Sequence, residues 1–357
     1  MSLAQLLADL PIPIVQAPML GATGPEIAVA VSQAGGLGAL AAGATAPREM
    51  AAAVAELKSL TQAPVSVNLL MSPPAAPQAE VVDAALSRLA PWYAELGAPL
   101  PAAPNDFGQD FQAQLEALTQ AAPQVASFTF GILTKGEIDA LHAAGSYVIG
   151  TATTVAEARA WAEVGADGIC AQGFEAGGHR GNFLAETQAS LVGTLALTAL
   201  VIEAVDLPVI AAGGIMDGRG VAAVLALGAA AAQMGTAFLL ADQAFVSSPW
   251  RHAIETVGDE ATALTRAFTG RHARGIENRF MRDLRIEEDA VPAYPVQNRL
   301  TQPLRAAALA AGQSDMMSLW AGQGVRLARP GDAAQMLQAW WRQAQEAAEA
   351  LAARTAR

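Results

Sequence analysis

AEVGADGICAQGFEAGGHRG, from Ala162 to Gly181, holds one structural unit and the opening of a site. Its first residues read as the end of a helix, and Gly165 is placed to take the left-handed conformation that terminates it. The apolar run that follows suits a strand buried on both faces. The same helix, glycine, strand form recurs as VSQAGGLGAL from Val31, LHAAGSYVIG from Leu141 and LALGAAAAQMG from Leu225, with Gly35, Gly145 and Gly228 at the helix ends. Each copy is the αβ half of a βα repeat.

Further strands are expected at Ile12 to Ala17, Val65 to Leu69, Val125 to Phe130 and Pro208 to Ala212, which brings the count to eight. Eight parallel strands fit a closed barrel or an open doubly wound sheet equally well by number. The positions of the polar residues help. After the first strand comes APMLG (Ala17 to Gly21), and Asn68 follows in the third. AQGFEAGGHRG (Ala171 to Gly181) comes after the sixth, AAGGI (Ala211 to Ile215) after the seventh and QMGT (Gln233 to Thr236) after the eighth. Signals at the carboxyl ends of so many strands converge on the mouth of a barrel, where such folds place their sites.

The expected architecture is therefore an α/β (β/α)8 TIM barrel over residues 1–244, with a helical insertion at about 72–124. A small, mainly helical appendage on the substrate side is expected over 245–324, and a C-terminal helix packing on the barrel over 325–357.

Composition narrows the function classes. The 357 residues are 53% hydrophobic and 15% charged, with a net charge of −12, a balance that opposes nucleic-acid and anionic-membrane partners. The apolar run Val221 to Ala241 is long enough to span a bilayer, but Gly228 and Gly235 break it, and a buried helix followed by a buried strand produces the same pattern. The first basic residue is Arg48, which removes the charged start of a secretory signal, so a cytoplasmic enzyme is expected. The single cysteine, Cys170, allows no intrachain disulfide and reads as a buried small residue. The histidines are dispersed and no metal site is expected. Ala-rich helices are compatible with a homodimer.

Chemistry concentrates in two places. AAGGI and QMGT resemble a phosphate cradle, because glycines let backbone N–H groups approach an anion, and Thr236 adds a hydroxyl. His179 sits between glycines on a loop, where an imidazole gains little packing but keeps access to a small substrate. A general acid or base role fits it better than a structural one.

Taken together, PIVQAPMLG from Pro13, the Asn68 strand, GADGICAQGFEAGGHRG, PVIAAGGI, AAQMGTAFL, FTGRHARGIENRF from Phe268 and SLWAGQG from Ser318 resemble the nitronate monooxygenase family, formerly 2-nitropropane dioxygenases. The resemblance spans nearly the whole chain. It implies an FMN cofactor held by Asn68, Gln172, Gly177, Gly178, Gly213, Gly214, Gln233, Met234, Gly235 and Thr236, with Pro18, Met19 and Gly21 beside the flavin ring and Lys135 and Thr151 near it. It also implies oxidation of a nitronate or nitroalkane by O2 to a carbonyl compound and nitrite, with His179 facing the substrate either as a base or as a cation holding the anion. Related readings are an FMN-dependent NAD(P)H enoyl-acyl-carrier-protein reductase, an NAD(P)H:quinone reductase, and a non-catalytic flavin-binding protein. Gln172 favours the monooxygenase, since the reductases tend to carry an acidic residue there.

Overall fold

The computed structural model describes residues 1–72 and 75–355. Pro73 and Pro74, in the expected insertion, and Ala356 and Arg357, at the end of the expected C-terminal segment, lie outside the described residues. Eight parallel strands form the centre: β1 (Ile14–Gln16), β2 (Gly38–Ala41), β3 (Val65–Leu70), β4 (Val125–Thr129), β5 (Tyr147–Ala152), β6 (Gly168–Gln172), β8 (Val209–Ala212) and β9 (Ala231–Met234). Their order is β1-β9-β8-β6-β5-β4-β3-β2. A parallel bridge between Val15 and Leu37 joins the two ends, with Gln16 N–H donating to the Leu37 carbonyl at 2.9 Å and Leu37 N–H to that of Ile14 at 3.0 Å. The sheet thus closes into the (β/α)8 barrel. The apolar run Val221 to Ala241 divides, as the breaking glycines require, into the helix Gly218–Ala226, β9 and a short 3₁₀ turn; no helix among the described residues is long and apolar enough to cross a membrane.

Strand alternation sorts the two sides of the wall. Val67, Leu69, Ala126, Phe128, Val148 and Ile169 face the helices in one core cluster, whereas Ser66, Asn68, Ser127, Thr129, Ile149, Thr151, Cys170 and Gln172 line the barrel interior. Helices end where the glycines stand: Gly165, at φ +99°, is the C-cap of Val155–Val164, and Gly35, Gly145 and Gly228 also have positive φ. An amino-terminal helix, Leu3–Ala8, absent from the expected strand and helix pattern, closes the lower end. Its Leu3, Leu6 and Leu7 pack with Val15, Val125, Ile210 and Ala231.

The expected insertion divides in two. Phe111–Ala121 packs on the helix Pro47–Leu60 as a regular member of the barrel's outer layer. Ala79–Glu95 instead joins the appendage, where Val82, Leu86, Leu89 and Tyr93 pack with Phe268, Phe280, Leu300 and Leu304, and the Tyr93 hydroxyl donates to the Leu300 carbonyl at 2.8 Å. The appendage combines helices with a short pair of strands. Beside the helices Ser248–Thr256, Arg279–Leu284 and Val296–Ala310 it contains the antiparallel pair β10 (Thr262–Thr265) and β11 (Ala273–Ile276). The last helix, Ala333–Thr355, lies against Gly218–Ala226 so closely that a Cβ on Gly218 would come within 2.1 Å of the Trp340 carbonyl oxygen.

Candidate active site

The glycine-rich loop after β6 is held from both sides. Arg180, fully buried, donates through Nη1 to Gln172 Oε1 at 3.0 Å and the Gly173 carbonyl at 2.7 Å, and through Nη2 to the Ser190 carbonyl at 2.9 Å. Glu175 accepts from the Thr194 N–H and hydroxyl, the latter at 2.6 Å. Gln172 Nε2 donates to the His179 carbonyl at 3.0 Å. This network turns the loop back over the barrel and lets Gly178 and His179 form a two-residue strand, β7, which pairs with β11 through Ala273 and Arg274. His179 is therefore on the edge of a small sheet, not on the free loop that its glycine flanks suggest.

A cavity of about 520 Å³ opens at the carboxyl ends of the strands, a size usual for small-molecule sites. Pro18, Met19, Gly21, Asn68, Thr151, Gln172, Gly177, Gly178, His179, Gly213, Gly214, Gln233, Gly235 and Thr236 all line it. Two expected residues do not. Lys135 begins the helix Lys135–Ala143 behind a capping box of Thr134 and Glu137; its side chain is 72% exposed and paired with Asp139 at 2.8 Å. Met234 alternates with Gln233 along β9, so its side chain points outward into the helix layer.

At the ends of β8 and β9 the backbone forms an open cradle. Gly213 and Gly214 have φ of +125° and +68°, and a Cβ on Gly214 would come within 3.1 Å of the Glu175 side chain. A Cβ on Gly177 would meet the Gly322 nitrogen at 2.5 Å. Gly322 N–H donates to Thr236 Oγ1 at 2.9 Å, which leaves the Thr236 proton free to donate. The N–H groups of Gly214 and Gly235 meet no acceptor among the described residues.

His179 faces an aromatic box, with ring centroids 5.6 Å from Phe130, 5.9 Å from Tyr294 and 5.5 Å from Trp320. Its Nε2 is 2.9 Å from the buried Thr269 hydroxyl, the one hydrogen bond of the ring among the described residues. Burial, helped by the charges of Arg271 and Arg305, pushes the imidazole down to about 3, so the ring is neutral across the physiological range. The Cys170 thiol on the inner wall is pushed up to about 12 by burial and is no nucleophile.

The appendage supplies further lining residues, of which only Trp320 and Gly322 lie in a motif, SLWAGQG. Tyr294, Asn298, Arg305 and Leu309 line the cavity from one side, the last three on one face of the helix Val296–Ala310, and Trp320 and Gly322 line it from the segment after it. For Tyr294, Asn298, Arg305 and Leu309 only the seven-residue spacing of Asn298 and Arg305, two helical turns apart, was available as a signal, and it is indistinguishable from an ordinary polar face.

The chain is similar to known proteins over nearly its whole length. The nitronate monooxygenase family profile matches residues 3–341. The chain is 42% identical to a nitronate monooxygenase of Pseudomonas aeruginosa, over 91% of this chain and 94% of that one. It is 39% identical to a probable nitronate monooxygenase of Staphylococcus aureus, over 88% and 89%. The solved structure of a nitroalkane oxidase from Streptomyces ansochromogenes superposes with a TM-score of 0.89 at 43% identity, covering 97% of this chain and 99% of that one. A profile match across the barrel and appendage, with relatives of this identity over nearly their full length, places the chain in the nitronate monooxygenase family.

Proposed function

We propose that the protein is an FMN-dependent enzyme that oxidises alkyl nitronates, such as propionate 3-nitronate, with O2 to a carbonyl compound and nitrite. The observation that carries this reading is the placement of His179 in a cavity that has a glycine cradle at one end and no carboxylate among its described lining residues. The residues fit FMN: Gly213, Gly214, Gly235 and Thr236 offer free donors and a surface without side chains for a phosphate, and Asn68 and Gln233 present amides in the barrel mouth. Bound there, FMN supplies the one-electron chemistry towards O2.

The protein's part is binding and proton control. Thr269 Oγ1 has a single proton and lies 3.0 Å from the Arg271 carbonyl, which only a donor can satisfy. Towards His179 it then acts as acceptor, so Nε2 carries the ring proton and Nδ1 keeps its lone pair. From a nitroalkane, Nδ1 takes the α-proton, and the electron pair of the broken C–H bond moves onto the nitro group to leave a nitronate. Towards a preformed nitronate the neutral ring adds no charge, and the aromatic box keeps water from the reacting carbon. The test is nitrite release from propionate 3-nitronate by the FMN-loaded protein. Nitrite formation that needs both FMN and O2 supports the reading; a loaded protein that forms none overturns it.

A further inference from the structure

If His179 is neutral, it does not hold the nitronate anion, and another group has to. Among the described residues that line the cavity, Arg305 is the only charged side chain, and none is Asp or Glu. Arg305 is in no ion pair among the described residues. Its Nη2 donates to Asn298 Oδ1 at 2.8 Å and to the Asn298 carbonyl at 3.1 Å, which draws the guanidinium along the helix towards Tyr294 and His179. Nη1 reaches the Ser318 hydroxyl only at 3.4 Å, and Nε is buried with no partner among the described residues.

A guanidinium placed in a largely apolar cavity without a counter-ion is costly unless something anionic meets it during function. Tyr294 does not neutralise it, because burial raises the phenol above its ordinary range. Burial lowers Arg305 itself to about 10, which still leaves it charged at neutral pH. The phosphate cradle is a separate element, built by Gly213, Gly214, Gly235 and Thr236 at the ends of β8 and β9, so the cofactor's phosphate already has donors of its own.

We propose that Arg305 holds the anionic head group of the substrate, the two nitronate oxygens, while Asn298 and Ser318 keep its guanidinium in position. The proposal rests on the nitronate reading of the site. It divides the labour within the cavity: Arg305 supplies charge, and His179 supplies a lone pair. The same charge favours proton loss from a bound nitroalkane, because the anion formed is the one it binds. The rest of the substrate then extends to the mouth, where Leu20, Phe245 and Leu309 are 46%, 57% and 44% exposed and form an apolar rim. A second charge on the substrate, such as the carboxylate of propionate 3-nitronate, falls on the solvent side of that rim.

The experiment uses the FMN-loaded protein and its Arg305→Met and Arg305→Lys variants, with FMN content and thermal melting recorded for each. Steady-state KM is measured with ethyl nitronate and with propionate 3-nitronate. The dissociation constant of butanoate, an unreactive planar anion shaped like the nitronate head, is measured by calorimetry. Arg305→Met is expected to keep FMN and raise both KM values and the butanoate constant about 10- to 100-fold, the loss expected for hydrogen bonds to a charged group, with Arg305→Lys between it and the unaltered protein. A folded Arg305→Met protein with unchanged butanoate binding and KM overturns the proposal. So does loss of FMN, which assigns Arg305 to the cofactor, and so does an effect confined to propionate 3-nitronate, which assigns it to the carboxylate. Should no nitronate be turned over at all, the broader functional reading fails, but butanoate binding still decides whether Arg305 is an anion site.

Discussion

At His179, a ring held near 3 in the fold and free to titrate near 6.5 when unfolded has a consequence for stability. Between those values the unfolded chain binds the extra proton, so the stabilisation is complete above about 6.5 and is lost as pH falls towards 3. The loss is up to about 1.4 kcal/mol per pH unit for one proton. Urea unfolding at pH 7, 5 and 4 is expected to show this slope and to show it reduced in His179→Asn. The same variant is expected to keep FMN and to lose roughly 10²- to 10⁴-fold in turnover of a nitroalkane, as for a missing base. Unchanged turnover returns His179 to a packing role. Thr269→Val removes the acceptor that fixes the ring's tautomer, and it is expected to lower nitroalkane kcat while leaving butanoate binding intact; Thr269→Ser restores it. Single residues were the hardest features to read from sequence. The glycine-flanked His179 was legible because its motif is local, whereas Thr269, Tyr294 and Arg305 belong to the site only through the folding back of the appendage.

The elements were more legible where they obey a period. All eight barrel strands follow from helix, glycine, strand repeats and apolar runs, because both faces of each strand are covered and the sequence shows it. Alternation within a strand was the limit: Gln233 and Met234 sit in one motif, yet only the former faces the cavity. β10 and β11 escaped because TALT and ARGI have neither the alternation nor the apolar run of a strand, and β11 is buried through its pairing with β7 and β10 and its bridge to Trp320. The cradle makes its own prediction. Gly214→Val forces a side chain onto a left-handed backbone beside Glu175, and the purified protein is expected to lose most of its FMN absorbance. Full flavin content in that variant would move the phosphate elsewhere.

Across the whole molecule, the barrel provides the glycine cradle, His179 and Phe130 while the appendage provides Tyr294, Trp320 and Arg305, so neither unit alone lines the cavity. Ala79–Glu95 ties the two together, because it leaves the barrel after β3 and packs in the appendage core. This division explains why the fold could be read from repeats while Tyr294, Asn298 and Arg305 could not be placed at the cavity. The most direct test of the whole account is oxygen uptake by the FMN-loaded protein with propionate 3-nitronate, run beside NADH and NADPH oxidation with a quinone or an enoyl thioester. Rapid uptake with no pyridine nucleotide present is the result expected; negligible uptake together with acceptor-dependent oxidation of NADH or NADPH would contradict it.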